Sequence, residues 1–129
     1  MTTVNDLMTP DPLTLGADKT VDVARMFLSY AHIRHLPVVE DGRVVGLVTS
    51  RDLLASTVKF PEGAKVSDIM QSDVRVIDAQ EGIARAIDIM IEHKYGCLPV
   101  VMGNQLVGII TEADFLKFTR LQIQQGQIQ

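Results

Sequence analysis

The feature that most constrains the fold is an internal duplication. Shifting the 129-residue sequence by 62 positions lays its halves on each other without a gap. Val4-Asn5-Asp6-Leu7-Met8 falls on Val66-Ser67-Asp68-Ile69-Met70, and Leu36-Pro37-Val38-Val39 falls on Leu98-Pro99-Val100-Val101. The run Val45 to Asp52 falls on Val107 to Asp114. From position 4 to 54, fifteen of fifty-one positions are identical, and most other core positions exchange one aliphatic for another. A fixed period means two copies of one supersecondary unit. A unit of about 55 residues buries too little surface to be stable alone, so the copies are expected to pack together as one module.

Each copy reads the same way. A short helical turn ends at Met8 or Met70, and a brief extended piece follows near Thr14-Leu15 or Val76-Ile77. Val21, Ala24, Phe27 and Leu28 then make one apolar face at helical spacing; the second copy is read as Ile83, Ile87, Met90 and Ile91. Two aliphatic strands, Leu36–Val39 and Val44–Val48, flank Asp41-Gly42, a strong hairpin signal. Gly103-Asn104 is the equivalent turn, and a second helix begins after Thr49 or Thr111. The strands lack clean alternation, which suits a sheet covered by helices. The fold class is therefore α/β (α+β), two pseudo-symmetric β-α-β-β-α repeats. They span 1–57 and 63–120, with a tail at 121–129 and a short linker, Ser56–Lys65, around Pro61-Glu62-Gly63. Phe115, Phe118, Leu121 and Ile128 form a rough helical stripe towards a Gln-rich end, where fraying past Gly126 is expected.

Composition bounds function. Hydrophobic residues at 47% supply a core, and charged residues at 22% supply a soluble surface. A net charge of −4 disfavours nucleic acid, which needs a basic face. A single cysteine, Cys97, excludes an internal disulfide and the usual zinc ligand set. No apolar run approaches a membrane span, and no secretory leader is visible at the start, so a cytoplasmic protein is expected.

The pattern resembles the CBS domain, named after cystathionine β-synthase. Three features carry the resemblance at the same spacing in both copies: Val-x-Asp-aliphatic-Met, Leu-Pro-Val-Val, and Gly-aliphatic-aliphatic-Thr-x-x-Asp. The resemblance implies clefts that bind adenine nucleotides or adenosyl ligands, with or without magnesium. It implies no required cofactor and no catalysis. It also implies pairing of modules into a homodimeric four-repeat disk. Because the repeats fill the chain, an effector protein would act in trans.

The same resemblance assigns the ligand's ribose to Asp52 or Asp114, helped by Thr49 or Thr111. An ionised carboxylate suits that role, since it accepts both ribose hydroxyls in charge-assisted bonds. Thr-x-x-acid is equally a helix-capping pattern, and the two readings are compatible. The repeats differ before Leu-Pro-Val-Val: His32-Ile33-Arg34-His35 stands where the second copy has Lys94-Tyr95-Gly96-Cys97, and Arg51 stands where it has Ala113. Arg34, His35 and Arg51 fit a phosphate, or else form a solvated surface. Gly96 and Cys97 depart from that pattern, so the second cleft holds an uncharged adenosine-like group, uses Lys94, or stays empty. By resemblance Thr14, Leu15, Val76 and Ile77 line the adenine slots with Ile33, Pro37, Tyr95 and Pro99; for Leu15 and Ile77 a core position is the favoured reading.

Other constellations carry less. His32 and His35 are three apart, but no third zinc-type ligand lies near them in sequence, and His93 belongs to the other repeat. Cys97 reads as a small buried residue. Phosphate-loop, GxSxG and dinucleotide motifs are absent. Two functions remain: a ligand-binding regulatory module, and a structural dimerisation module with vestigial clefts.

Overall fold

The computed structural model describes residues 1–31, 33–59 and 62–128, the side chains of 55–59 aside. His32, and Phe60 and Pro61 of the linker, lie outside the described residues. The elements in chain order are α1 (Val4–Leu7), β1 (Thr9–Pro10), β2 (Leu15–Gly16), α2 (Val21–Ala31), β3 (His35–Glu40), β4 (Arg43–Thr49) and α3 (Ser50–Lys59). Then follow α4 (Val66–Ile69), β5 (Ile77–Asp78), α5 (Ile83–His93), β6 (Cys97–Met102), β7 (Gln105–Thr111) and α6 (Glu112–Gln124). The fold is a mixed α/β one with two sheets, and the β-α-β-β-α order recurs from β2 and from β5.

The chain forms two compact units, and their composition does not follow the linear repeats. One unit is Pro12–Val74; the other joins Met1–Asp11 to Arg75–Gln129. They are called here the Asp52 unit and the Asp114 unit. Each repeat's opening segment thus packs on the other repeat's sheet. Sheet order is β2-β3-β4 in the Asp52 unit and β1-β7-β6-β5 in the Asp114 unit.

Local chemistry explains the elements. The hairpin β3–β4 turns through Asp41 (φ 51°) and Gly42 (φ 79°), and β6–β7 through Gly103 (φ 57°) and Asn104 (φ 68°). Positive φ at both central residues is what a two-residue turn needs to follow strand twist, and Gly, Asn and Asp tolerate it best. Pro37 sits mid-strand opposite Leu47 without breaking a ladder. Leu47 turns its own N–H and C=O the other way, to Gln71, at 2.9 Å each, so this strand pair needs no proline donor.

Each unit has its own core. Leu15, Val21, Ala24, Leu28, Leu36, Val38, Val48, Leu53 and Val66 are buried together in the Asp52 unit. Val4, Ile77, Ala79, Ala86, Ile89, Met90, Leu98, Val100 and Ile110 are their counterparts in the Asp114 unit. Val66 and Val4 come from the exchanged segments, and both are fully buried. A buried aliphatic side chain contributes about 1.5–3 kcal/mol, so each exchanged segment is anchored by its valine. The apolar face of α5 differs from the expected one. Ala86, Ile89 and Met90 point inward, while Ile87 is half-buried and Ile91 is 70% exposed. The buried set is the 62-residue image of Ala24, Phe27 and Leu28 on α2, so strict register outperforms spacing counted on α5 alone. In the tail, Phe115 and Phe118 are half-buried, whereas Leu121 and Ile128 are exposed.

Candidate functional site

The candidate site of each unit lies where a hairpin strand runs into a helix. In the Asp52 unit β4 ends at Thr49 and α3 follows. Thr49 and Asp52 cap one another. Asp52 Oδ2 accepts the Thr49 backbone N–H at 2.9 Å and its hydroxyl at 3.0 Å, and the Asp52 N–H donates to the Thr49 hydroxyl oxygen at 3.3 Å. The Asp114 unit repeats the arrangement: Asp114 Oδ2 accepts the Thr111 N–H at 2.8 Å and its hydroxyl at 3.2 Å. Capping is thus a definite role of both Thr-x-x-Asp motifs.

The capping uses one carboxylate oxygen. Among the described residues, Oδ1 of Asp52 and of Asp114 accepts no hydrogen bond. Both aspartates are half-buried. Each carboxylate is held through one oxygen, and the other makes no hydrogen bond among the described residues.

Backbone contacts bring the residues before the Leu-Pro motif to the same place. His35 pairs with Thr49 across β3–β4, and the Arg34 carbonyl accepts the Ser50 N–H at 3.1 Å. In the other unit Cys97 pairs with Thr111, and the Gly96 carbonyl accepts the Glu112 N–H at 3.2 Å. Arg34 and Arg51 are exposed, and His35 is half-buried. Tyr95 is partly exposed and its ring stacks on His93, with centroids 5.3 Å apart and planes at 17°. Thr14, Ile33, Val76 and Gly96 are half-buried.

The remaining expected residues sit deeper. Leu15 and Ile77 belong to the two cores, as their aliphatic character suggested. Pro37 and Pro99 are fully buried in the central strands. Cys97 is buried, and loss of hydration around its thiol pushes the pKa up to about 12. A thiol so protonated is not a nucleophile at neutral pH.

Sequence reasoning missed Gln71. Its side-chain amide reaches Asp52 Oδ2 at 3.4 Å, while its backbone pairs with Leu47. Gln71 lies on the exchanged segment, and its repeat equivalent is Thr9, so neither proximity nor register points to it. Among the described residues no group of three or more His, Cys, Asp or Glu side chains is placed to hold a metal ion. Nor is any described helix long and apolar enough to cross a membrane.

The duplicated strand-to-helix site belongs to a known pattern. The CBS domain family model matches residues 4–59 and again 66–120. The chain belongs to the CBS domain family. The structure is similar to that of a putative acetoin utilization protein from Vibrio cholerae, with a TM-score of 0.88 and 34% identity, covering 100% of this chain and 98% of that one. It is also similar to the CBS domain pair of protein MJ0100 in complex with 5′-methylthioadenosine and S-adenosyl-L-methionine. There the TM-score is 0.85 at 25% identity, over 93% of this chain and 97% of that one. CBSX2 from Arabidopsis thaliana, solved in complex with AMP, gives 0.84 at 30% identity, over 96% and 99% of the two chains.

Proposed function

We propose that this protein is a non-catalytic regulatory module that binds an adenosyl ligand at its strand-to-helix sites and signals to a partner protein. One observation carries the reading: Asp52 and Asp114 are each pinned through Oδ2 and keep Oδ1 uncommitted among the described residues. A ribose has two hydroxyl donors, and an ionised carboxylate offers only acceptors. In this reading Thr49 and Thr111 steady the carboxylates. Thr14, Ile33, Val76 and Tyr95 provide the apolar edge for a base, over a floor that includes Leu15, Ile77, Pro37 and Pro99. Arg34, His35 and Arg51 meet phosphates, and Gly96 and Cys97 leave the second site without them.

The similarity to CBS pairs solved with AMP, or with 5′-methylthioadenosine and S-adenosyl-L-methionine, supports that ligand class. The reading extends to a cytoplasmic homodimer acting on an effector in trans. Leu54 and Leu116, register mates 74% and 72% exposed, are apolar surface for such association.

Thermal unfolding with AMP, ADP, ATP, S-adenosylmethionine and NAD tests the reading, on wild type, Asp52→Ala and Asp114→Ala. A ligand at 100 times its dissociation constant stabilises by about 2.7 kcal/mol. At least one adenosyl compound is expected to raise the midpoint, and at least one aspartate variant to lose that response. No shift with any compound refutes ligand binding and favours an assembly module with vestigial clefts.

A further inference from the structure

We propose that the opening arm, Met1–Asp11, is swapped between two copies of the chain, each arm seating on the Asp114 unit of the other, with Asp11 as the hinge. The inference rests on the homodimer of the proposed reading and names what one copy contributes to the other.

The Asp114 unit is assembled from two stretches of chain, Met1–Asp11 and Arg75–Gln129. What holds the arm on the second stretch does not depend on the covalent joint between them. Val4 is fully buried in that unit's core. The Val4 and Asn5 N–H groups donate to the Glu81 and Ala79 carbonyls at 2.8 and 2.9 Å, and the Ile83 N–H donates to the Thr2 carbonyl at 3.3 Å. Thr9 and Pro10 pair antiparallel with Ile109 and Gly108 on β7. The Asp11 N–H extends that ladder, donating to the Val107 carbonyl at 3.1 Å. The same arm from a second copy makes every one of these contacts, so the seat does not distinguish its own arm from another.

The joint decides between the two. The arm runs out through Pro10-Asp11-Pro12, and proline fixes φ on either side of Asp11. A residue before proline favours extended backbone. Asp11 instead bends the chain at φ 49°, a left-handed conformation that is strained for a residue with a side chain. Local preference and folded conformation therefore conflict at the residue that joins the arm to the rest of the chain. A swapped arm lets Asp11 straighten while the arm keeps its contacts.

The second copy of the motif has no such joint. The register equivalent of Asp11 is Asp73, with Ser72 and Val74 in place of the two prolines and no positive φ. Its strand contact is also shorter, an isolated bridge between Gln71 and Leu47. Only the first arm combines a ladder on its seat with a strained hinge. Once two copies are associated, the swap is an intramolecular step at high effective concentration.

Oxidative crosslinking of the intact chain tests this. Thr3 and Gly82 are bridge partners across arm and seat, and a Cβ on Gly82 lies 3.4 Å from Met1 Sδ, an ordinary contact. Antiparallel bridge partners are within reach of a disulfide. Thr3→Cys/Gly82→Cys is made in a Cys97→Ala background, purified reduced, sized by light scattering, then oxidised and run on a non-reducing gel. The two single-cysteine proteins give the background of random crosslinks. A covalent dimer is expected as the main product above that background. Adding Asp11→Gly, which adopts the left-handed φ without strain, is expected to lower the covalent dimer at least about threefold in favour of the intramolecular product. A protein that scatters as a dimer but crosslinks only within one chain overturns the swap and leaves a surface-paired homodimer standing. A monomer by scattering overturns both. Absence of any crosslink overturns the seat, and a dimer fraction that Asp11→Gly leaves unchanged or raises overturns the hinge; either result removes the inference.

Discussion

Gly46 offers a quantitative test of how the exchanged segments are held. A Cβ built at this position would overlap Met70 Sδ, lie 2.9 Å from Met70 Cγ and lie 3.1 Å from the Gln71 carbonyl oxygen. The methionine side chain can rotate away. The carbonyl cannot, because the Gln71 backbone is tied to Leu47 by two hydrogen bonds of 2.9 Å. Overpacking of this kind costs about 1–3 kcal/mol. Against it stands the reduced unfolded-state entropy of alanine, about 0.4–1 kcal/mol, since Gly46 does not require positive φ. Gly46→Ala is therefore expected to destabilise the protein by about 1–2 kcal/mol. The assay is urea unfolding followed by far-ultraviolet circular dichroism, with the slope compared so that a change in midpoint reports stability. Met70→Ala and the double variant complete a cycle. Because the Gln71 carbonyl is the fixed obstacle, the two losses are expected to add to within about 0.5 kcal/mol. A double variant more stable than that sum by about 1 kcal/mol, or a Gly46→Ala protein as stable as wild type, would refute the reasoning. Gly108 is an internal replicate: its Cβ would overlap Met8 Sδ and lie 3.0 Å from both Met8 Cγ and the Thr9 carbonyl oxygen. Gly108→Ala should thus behave alike.

Three further outcomes are expected. Leu98→Ala should cost about 2–5 kcal/mol in the same assay, because Leu98 is fully buried; exposed Leu116→Ala should stay within about 0.5 kcal/mol of wild type. Cys97, with its thiol pKa raised to about 12 by burial, should resist a thiol reagent at pH 8 in the native protein and react once the chain is unfolded in urea; rapid labelling of native protein would contradict the buried position. Asp6 accepts the Thr3 backbone N–H and hydroxyl, which hold its carboxyl below the ordinary 3.8. A lowered folded pKa contributes stability above the unfolded value, and that contribution is lost as pH falls through the folded one. The margin of wild type over Asp6→Asn should accordingly narrow below pH 4, and a margin that widens on acidification would contradict the assignment.

The sequence alone determined the duplication, the element order and the family, because each depends on local pattern. The 62-residue register placed Leu36 and Leu98, Asp52 and Asp114, and the two hairpin turns in equivalent roles, and the structure agrees. Where the reading left that register, on α5, it named Ile91 as inward when Ile89 is the buried residue. The capping bonds of Thr49 and Thr111 were legible too, since cap and carboxylate lie three residues apart. Tertiary structure decided what depends on choice between distant partners. Residues 45–48 and 107–110, the edges available to an opening segment, have nearly the same sequence. Local propensity therefore cannot say that Thr9 pairs with Ile109 while Gln71 pairs with Leu47. That exchange alone brings the Gln71 amide to Asp52, a contact without an equivalent hydrogen bond to Asp114 among the described residues. Chemically equivalent edges differ only in the path of the chain that reaches them, and that path is a property of the whole fold.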